Sequence, residues 1–514
     1  MIKFRFPVFQ KLTISILTAR EAFGEQYPDS IGRGLRSLRQ KASLIAVLTV
    51  IISLSMSLSA IADTPKHYTE LELPPPPEVT LPEYVRYELD NGMVVYLVQD
   101  RDLPLVSGSA IIRTGSRFEP ADEVGLARLT GSLMRNGGTK NHSVEELNLI
   151  LEQEAASIET GIDTTSGSAS FNTLTEDLDS VLNLFAEVLR EPVFDPNRLE
   201  LAKNQIKGGI ARRNDDPQDV ADREFDKLIY GATSPYARTV EYETIDNISR
   251  EDVIAFYQQY IRPENIILGV VGDFEISEMK AKIEEVFGDW EVSTPPPPLD
   301  VPDANQAQES GIYIINRPEL TQSSVAIGHI DSTLDNPDYP VLSVINGLLN
   351  GFSGRLFNEV RSRQGLAYSV YGVWRPNYDY AGQFTAGGQT QTETTVPFIE
   401  SVLSEITELQ NNPVSEAELA DAKESILNSF VFNFQNPSQT LSRLMRYEYF
   451  GYPEDFIFQY QDGVKNTTVE DVRRVARQYF KPEQLVTLVV GNAATITPLL
   501  DTLDEDVTTI TIDN

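Results

Sequence analysis

The stretch REDVIAFYQQYIRPENIILGVVG, residues 250–272, returns in altered form as VEDVRRVARQYFKPEQLVTLVVG, residues 469–491. The two segments align without a gap at an offset of 219 residues. Further upstream, at an offset of 220, the matching residues are Ala202 and Ala422, Lys203 and Lys423, Ile206 and Ile426, Pro217 and Pro437, and Gly231 and Gly451. The units of solenoid proteins are only about 20–50 residues long. This much larger offset therefore indicates that a whole domain was duplicated.

Each copy contains both strand-like and helix-like segments. The strand signals are two runs within residues 87–98, on either side of Asn91-Gly92, and the runs at 107–114 and 266–271. Helical periodicity covers residues 182–189, 198–213 and 250–260. These segments follow one another irregularly rather than in strict alternation, which favours α+β over a parallel α/β arrangement. We therefore predict two homologous α+β halves, each an antiparallel β-sheet with helices packed on one face.

Two runs of four prolines, at residues 74–77 and 295–298, mark the borders of these halves. Consecutive prolines can continue neither a helix nor a central strand, and the second run falls between the two copies of the repeat. The predicted organisation is a leader and signal peptide at 1–62, a proline-rich tail at 63–82, a first domain at 83–292, a proline-rich linker at 293–302, a second domain at 303–505 and an acidic tail at 506–514.

The composition allows a packed fold but excludes some classes of function. Of the 514 residues, 41% are hydrophobic and 23% are charged, which is ordinary for a globular protein with several cores. The formal net charge of −34 is the opposite of what a protein needs to neutralise nucleic-acid phosphates, so we expect no nucleic-acid partner. The acidity serves solubility or attracts basic peptides. The absence of cysteine excludes disulfides, thiol nucleophiles and thiolate metal sites.

The first 62 residues differ in charge from the rest, with eight Lys or Arg and only three acidic residues. Basic residues from Arg33 to Lys41 precede an apolar run at 42–60, which leads to Ala60-Ile61-Ala62. This is the pattern of a secretory signal peptide, and it predicts an exported, periplasmic or extracellular protein cleaved after Ala62. The alternative is an uncleaved membrane anchor formed by residues 42–60, because the run approaches membrane-spanning length.

Three motifs of the first half are similar to those of one peptidase family. They are Gly115-Ser116-Arg117-Phe118-Glu119-Pro120, the run GLARLTGSLM at residues 125–134, and Gly138-Thr139. They resemble the G-S-R-x-E-P, G-L-A-H-x-x-E-H-M and G-T motifs of the pitrilysin/insulinase-type (M16) metallopeptidases, a family that includes the mitochondrial processing peptidase. The resemblance implies that the two halves form a clamshell like that of the mitochondrial processing peptidase.

The same alignment shows that the metal-binding residues are replaced. In the family, the two histidines of H-x-x-E-H hold zinc, its glutamate is the general base, and a later glutamate completes the site. The corresponding residues here are Arg128, Gly131, Ser132 and Gly209. Arginine offers no lone pair, glycine has no side chain, and a neutral serine alone is a poor zinc ligand. We therefore expect no metal or cofactor in this chain, and no catalytic residues in the isolated chain.

The three histidines of the chain do not suggest a different metal site. His67 lies in the predicted tail. His142 is followed by Glu145 and Glu146, but the segment from Ser143 to Glu146 fits a helix capping box better than a metal pair. His329 lies in an alternating strand-like run, which predicts an ordinary half-buried histidine.

The second half contains the strongest match to the family, GFSGRLFNEVR at residues 351–361 and GLAYSVY at 365–371. It resembles the family's S-R-L-F and G-L-A-Y-S-V motifs, in which an Arg and a Tyr bind the substrate backbone and steady the oxyanion. The equivalent residues, Arg361 and Tyr368, are therefore the candidate substrate-binding pair. A guanidinium and a phenol suit this role because both donate to oxygen. The alternative is that Arg361 caps or ion-pairs at a helix end while Tyr368 packs at a strand start.

The leading hypothesis is a catalytically silent subunit of a two-chain M16 zinc peptidase. A partner subunit with an intact H-x-x-E-H motif would hold the zinc, and this chain would supply Arg361, Tyr368 and half of the chamber for a peptide substrate. The main alternative is a non-enzymatic peptide-binding or scaffold protein on the same fold. A third hypothesis, an autonomous peptidase with unusual ligands, requires stoichiometric zinc in the isolated chain.

Overall fold

A computed structural model describes residues 81–503 and 506–512 of the chain. The predicted leader, signal peptide and anchor segment, and most of the proline-rich tail with His67, lie outside these residues. Within the described ranges, no helix is long and apolar enough to cross a membrane.

The first half contains a six-stranded sheet with the strand order β1-β2-β6-β3-β5-β4. Its strands are β1 (Val85–Glu88), β2 (Val94–Gln99), β3 (Leu105–Ile112), β4 (Ser157–Ile162), β5 (Gly167–Leu174) and β6 (Ile266–Gly272). Neighbouring strands are antiparallel except β2 and β6, which are parallel. The predicted hairpin is confirmed between β1 and β2, where Gly92 has a φ of +86° and donates its N–H to the Leu89 carbonyl. Glycine adopts this left-handed conformation without a steric penalty.

The second half repeats this arrangement with the strand order β12-β7-β11-β8-β10-β9. Its strands are β7 (Gly311–Asn316), β8 (Gln322–Ile330), β9 (Ala367–Arg375), β10 (Gln383–Gln391), β11 (Val486–Gly491) and β12 (Val507–Thr509). Strand β11 is parallel to β7, as β6 is to β2, and β12 is also parallel to β7. The α+β class and the two homologous halves are thus confirmed, with mixed sheets instead of purely antiparallel ones.

The described part of the first half contains eight α-helices, and that of the second half contains six. Those of the first half are α1 (Leu126–Asn136), α2 (Val144–Gln153), α3 (Leu178–Arg190), α4 (Pro196–Ile210), α5 (Pro217–Tyr230), α6 (Tyr242–Asn247), α7 (Arg250–Tyr260) and α8 (Ile276–Phe287). Those of the second half are α9 (Tyr339–Leu349), α10 (Thr395–Asn411), α11 (Glu416–Ser429), α12 (Pro437–Phe450), α13 (Phe456–Asn466) and α14 (Val469–Tyr479). The repeated sequence thus forms helix α7 and strand β6 in one half, and α14 and β11 in the other.

Local sequence signals explain why equivalent helices begin where they do. Ser249 and Asp252 at the start of α7 form a reciprocal capping box, and Thr468 and Asp471 do the same at α14. In each box, the hydroxyl accepts a helix N–H while the carboxylate accepts the N–H of the cap residue. The capping box predicted at Ser143 is also confirmed, at the start of α2.

Each sheet is covered on both faces, and the second cover comes from the opposite half. Helices of the same half pack on one face and form its main core. On the other face of the second sheet lies α5, whose Phe225 ring contacts β8 at Gly328. On the other face of the first sheet lies α12, whose Met445 contacts β6 at Gly269. This exchange differs from the predicted one-face packing, and it explains why β6 is buried along its whole length.

Polar contacts also join the two halves. The buried guanidinium of Arg117 donates to Asp379 at 2.8 Å. The Tyr449 hydroxyl donates to the Thr165 carbonyl at 2.6 Å. Hydrogen bonds with an ionised partner are about twice as strong as neutral ones, so the Arg117 contact fixes the approach of the halves.

The end of the chain corrects one predicted border. Residues 506–512 were expected in an acidic tail, but Val507–Thr509 form strand β12 of the second sheet. Ile510 and Ile512 pack against the apolar cluster under helix α5, so burial of alternate side chains holds this segment in place. Residues 291–310 contain no helix or strand. The other domain borders stay predictions.

Candidate functional site

Arg361 and Tyr368 lie against each other at the surface of the second half. The guanidinium carbon of Arg361 is 5.2 Å from the ring centroid of Tyr368 and 4.8 Å from that of Phe357. Cation–π contacts of this kind are worth about 0.5–1 kcal/mol at exposed sites. Tyr368 is 78% exposed, and no carboxylate among the described residues forms an ion pair with Arg361. The arginine is therefore held by ring contacts while its N–H donors stay available.

A short π-helical segment, Phe357–Arg363, sets the direction of Arg361. Val360 on this segment and Leu356 immediately before it are fully buried in the second core. The N–H of Gln364 bonds to the Glu359 carbonyl, five residues back, as is typical of π-helical turns. Single π-helical turns are frequent at functional sites. Because the core anchors one side of the turn, Arg361 extends from the other side towards strand β9.

Phe352 extends the group of side chains that surrounds Arg361. Its side chain is 85% exposed, and its ring centroid is 5.2 Å from that of Phe357 in an edge-to-face contact. We call Phe352, Phe357, Arg361 and Tyr368 the aromatic–arginine row. Aromatic side chains and arginine are enriched in the buried centres of protein interfaces. Sequence reasoning missed both phenylalanines, although Phe357 lies four residues before Arg361, the spacing of neighbours on a helix surface.

Tyr368 also lines a cavity of about 490 Å³ that both halves form. Strands β9 and β10 provide one wall, and Asp222 and Asp226 of helix α5 lie on the other. Burial raises the pKa of both carboxyl groups, and the amide of Gln383 donates to Asp226 at 2.9 Å. Arg375 supplies a positive charge in the same cavity. Sequence reasoning missed this acidic wall because it arises only when α5 packs on the opposite half.

The positions that correspond to the zinc motif lie on helix α1 and line a different cavity. This cavity has a volume of about 710 Å³ and includes Arg128, Ser132 and residues of strand β4. Arg128 is exposed. Gly209 lies on helix α4, and apart from the neighbouring backbone of that helix no atom lies within 4 Å of the point where a Cβ would be. The cavity at Arg128 and Ser132 and the cavity beside Tyr368 have no lining residue in common.

Gly131, the position of the family's general base, has no room for a side chain. A Cβ atom at Gly131 would lie 2.5 Å from the Ile162 nitrogen and 2.7 Å from the Gly161 carbonyl carbon. Strand β4 therefore packs directly on the backbone of helix α1. The Thr160 hydroxyl reinforces this contact by donating to the Gly131 carbonyl at 2.7 Å.

The residues present at these positions do not fit zinc. The motif positions on helix α1 offer the guanidinium of Arg128 and the hydroxyl of Ser132, and the packing at Gly131 excludes a carboxylate. In residues 81–503 and 506–512, no group of three or more His, Asp or Glu side chains is placed to hold a metal ion. His142 lies 3.1 Å from the Glu187 carboxylate, and His329 is fully buried, more deeply than predicted.

Glu119 has a structural role that the sequence reasoning missed. Its carboxylate accepts the N–H groups of Gly125 and Ala127, at 3.1 and 2.8 Å, and so caps the first turn of helix α1. Burial raises the pKa of this carboxyl group, although the two N–H donors act in the opposite direction. Arg238 donates to the Glu119 carbonyl at 2.8 Å. The motif Gly115–Pro120 thus preserves the framework of helix α1 after the loss of its metal ligands.

Comparison with known proteins agrees with this pattern. Residues 94–239 match the family described as "Insulinase (Peptidase family M16)", and residues 247–426 match the "Peptidase M16 inactive domain". The chain is 23% identical over 406 residues to a protein of Bacillus subtilis named "Uncharacterized zinc protease YmxG", covering 79% of this chain and 97% of that protein. It is 22% identical over 409 residues to a Helicobacter pylori protein named "Non-peptidase homolog YmxG", covering 79% and 93%.

A solved structure has the same fold. It is the peptidase M16 inactive domain from Pseudomonas fluorescens, with a TM-score of 0.73 and 24% sequence identity, and the match covers 81% of this chain and all of that one. Three observations on the present chain agree. It has two similar halves, family models match along both of them, and the metal-site residues are replaced. The chain belongs to peptidase family M16, as a catalytically inactive member.

Proposed function

We propose that this chain is the non-catalytic subunit of a two-chain M16 zinc peptidase. Its partner carries an intact H-x-x-E-H motif and holds the zinc, while this chain contributes Arg361, Tyr368 and half of the chamber. One observation carries the proposal. Helix α1 cannot provide the metal site, since packing at Gly131 excludes a side chain, whereas the contact between Arg361 and Tyr368 is formed and Tyr368 is exposed. An inactive subunit that assists a catalytic one needs this combination.

The aromatic–arginine row supports a role at an interface. Phe352 and Tyr368 expose large aromatic surfaces, and Arg361 lies between them without an acidic partner in the described part of the chain. Exposed aromatic side chains of this size usually become buried when a partner or ligand binds. This surface is therefore the one that faces the active subunit and its bound peptide.

The chemistry of the pair suits peptide recognition. A guanidinium stacked on rings keeps its N–H groups in one plane, where they can donate to a carbonyl oxygen of the substrate backbone. The Tyr368 hydroxyl is a donor for the oxyanion that forms at the scissile carbonyl. Strand β9, which begins beside this pair, is the last strand of its sheet, so a peptide can add to its free edge by backbone hydrogen bonds.

The cavity beside Tyr368 suggests which peptides fit. Asp222 and Asp226 place two carboxyl groups opposite the edge strand, with Arg375 as the one basic residue of the lining. A Lys or Arg side chain of a bound peptide could enter this cavity beside Tyr368, where it would lie close to Asp222 and Asp226. We therefore propose peptides with a Lys or Arg residue near the cleavage site as substrates.

Export is also part of the proposal, since it rests on the sequence pattern of residues 33–62 alone. The complex would act in the periplasm or outside the cell, or at a membrane if residues 42–60 stay as an anchor. Sequencing the N-terminus of the protein isolated from its source separates these outcomes. A mature chain that starts at Asp63 supports export with cleavage, and an intact leader supports the anchor.

Co-expression with the H-x-x-E-H chain of the same organism tests the enzymatic proposal. The two chains should co-purify and should together cleave a basic peptide. This chain alone should neither cleave the peptide nor bind zinc. Arg361→Ala should lower kcat/KM of the complex by about 10- to 100-fold, because a hydrogen bond from a charged donor is lost. Tyr368→Phe should lower kcat by about 100-fold, because the hydroxyl that donates to the oxyanion is lost.

Arg363→Ala is the matched control for Arg361→Ala. Arg363 lies two residues away on the same π-helical turn, but its guanidinium is already paired with Glu359. Its replacement should leave cleavage within about twofold of the unmodified complex. Full activity of the Arg361→Ala complex would refute the proposal. Tight association with a chain that is not a peptidase would instead favour the scaffold function.

A further inference from the structure

A cavity of about 800 Å³ lies between the first sheet and helix α12 of the second half. Its floor consists of residues on β3, β5 and β6, and its wall is formed by α12 and the residues before it. It shares no lining residue with the cavity beside Tyr368. The volume is within the range of small-molecule sites, about 300–1,000 Å³.

The floor is unusually polar for a covered sheet face. Ser107 and Asn172 face each other across β3 and β5, and so do Ser109 and Ser170. The Ser107 hydroxyl donates to the Asn172 side-chain oxygen at 2.7 Å, which leaves the amide N–H groups of Asn172 for another acceptor. Strands β3, β5 and β6 each have a neighbour on both sides. Their backbone groups are used, so a ligand here is recognised by side chains and not by strand addition.

The wall carries positive charge in a chain whose net charge is −34. Arg443 and Arg446 both line the cavity, and no aspartate or glutamate does. One terminal nitrogen of Arg443 donates to Asn433 at 2.8 Å, while its buried Nε has no hydrogen-bond partner among the described residues. Arg446 is exposed and lies 5.9 Å from the ring centroid of Tyr378. Two guanidinium groups without a carboxylate call for an anionic occupant.

Two aromatic residues also line the cavity. Phe432 is 60% exposed, and Tyr378 lines the same space. Rings of this kind provide flat apolar surface for a ligand that has one apolar face. Hydroxyl and amide groups on the floor, guanidinium groups on the wall and aromatic rings at the side are complementary to a hydroxylated ring that carries a negative charge.

We propose that this cavity binds a small anionic ligand of the sugar-acid or sugar-phosphate class. Arg443 and Arg446 bind the carboxylate or phosphate group, and the paired side chains on β3 and β5 bind the hydroxyl groups. The site is independent of Arg361 and Tyr368 and goes beyond the proposed peptidase role. Either source of negative charge is compatible with a guanidinium, so the experiment compares the two.

The test measures binding of four probes to the purified full chain by calorimetry. Glucuronate and glucose 6-phosphate carry the two kinds of anion, glucose is the neutral counterpart, and a short Asp/Glu peptide represents an acidic polypeptide. At least one anionic sugar should bind at millimolar concentration or below, about tenfold or more tightly than glucose. The tighter of the two anions identifies the group that the site prefers.

Variants connect the binding to the cavity. Arg446→Gln should weaken binding of the anionic sugar by about tenfold, and adding Arg443→Gln should abolish it. Arg446 is exposed, so its replacement should leave the fold intact, as unchanged circular dichroism would confirm. Arg101→Gln, at an exposed arginine of the first half that pairs with Glu275, is the control and should change binding less than twofold.

Several results would overturn the proposal. They are no binding of either anionic sugar at millimolar concentration, binding of both anionic sugars no tighter than that of glucose, and binding of the acidic peptide only. Undiminished binding to the double arginine variant would place the ligand elsewhere and would equally refute the site. Because peptide cleavage by the complex is not measured here, failure of this proposal leaves the peptidase role unaffected.

Discussion

Gly131→Ala and Gly209→Ala should change the stability of the protein in opposite directions. Both glycines stand where active family members have a metal-site glutamate, and both lie in helices. Helix propensity alone favours alanine at each position, by about 0.5–1 kcal/mol. The surroundings differ, because Gly131 is pressed against strand β4 whereas nothing beyond the neighbouring helix backbone lies within 4 Å of a Cβ at Gly209.

The size of the effect follows from the distances. A Cβ at Gly131 would lie 2.5 Å from the Ile162 nitrogen, while ordinary contacts begin at 3.4 Å. Helix α1 and strand β4 would have to separate by about 0.9 Å, the difference between these values. Overpacking of this kind in a core destabilises by about 1–3 kcal/mol, which exceeds the helix-propensity gain. Gly131→Ala should therefore lose about 1–2 kcal/mol, and Gly209→Ala should gain about 0.5 kcal/mol.

Urea unfolding of the two variants and the unmodified chain measures this difference. The slopes of the transitions should agree, so that a change in midpoint reports stability. Gly131→Glu should be less stable still, and restoring all four metal-site residues should yield a poorly folded chain without stoichiometric zinc. A Gly131→Ala variant as stable as the unmodified chain would refute the packing argument, because strand β4 would then yield at no energetic cost.

Two further predictions concern the interior of the second half and the contact between halves. Burial lowers the pKa of His329 to about 4, below the unfolded value of about 6.5, so stability should fall by about 2 kcal/mol between pH 7 and pH 5. His329→Gln should remove this part of the pH profile of unfolding, and an unchanged profile would contradict the assignment. Phe225→Ala should destabilise by about 3–5 kcal/mol and increase hydrogen exchange in both halves, since Phe225 of the first half packs on the second sheet. Faster exchange confined to helix α5 would argue against coupling of the halves.

Local elements of the fold could be read from the sequence because their signals are local. The turn at Asn91-Gly92, the capping box at Ser143 and the limits of helix α7 all depend on residues within one or two turns of each other. The repeated segment formed matching elements in both halves, helix α7 with strand β6 in one and helix α14 with strand β11 in the other. The segment after residue 505 was misjudged because Val507, Ile510 and Ile512 are not spaced by a regular period of two, so no alternating strand pattern marks them.

The candidate site was predictable only in part. Arg361 and Tyr368 could be named from the family motif, but the stacking on Phe357 and the exposed Phe352 could not. These contacts depend on a π-helical turn, which changes which residues share a face. The acidic wall at Asp222 and Asp226 was also out of reach, because helix α5 lies far from strand β9 in sequence.

By itself, the sequence determined that a domain was duplicated, that the metal-site residues were lost at Arg128, Gly131, Ser132 and Gly209, and that an Arg–Tyr pair remained. The duplication can be read by aligning the two copies with each other, whereas the lost and retained site residues can be read only from the resemblance of each half to the motifs of the M16 family.

Only the tertiary structure decided what covers the second face of each sheet. Helices α5 and α12 cross to the opposite halves, and burial of apolar area is not directional, so no local pattern specifies its partner. The packing of α5 on the second sheet also forms the cavity beside Tyr368, and the packing of α12 on the first sheet forms the cavity of about 800 Å³. It also decided that Gly131 is closed to a side chain, because strand β4 occupies that space, and so turned a missing residue into a site that cannot be restored by substitution at that position alone.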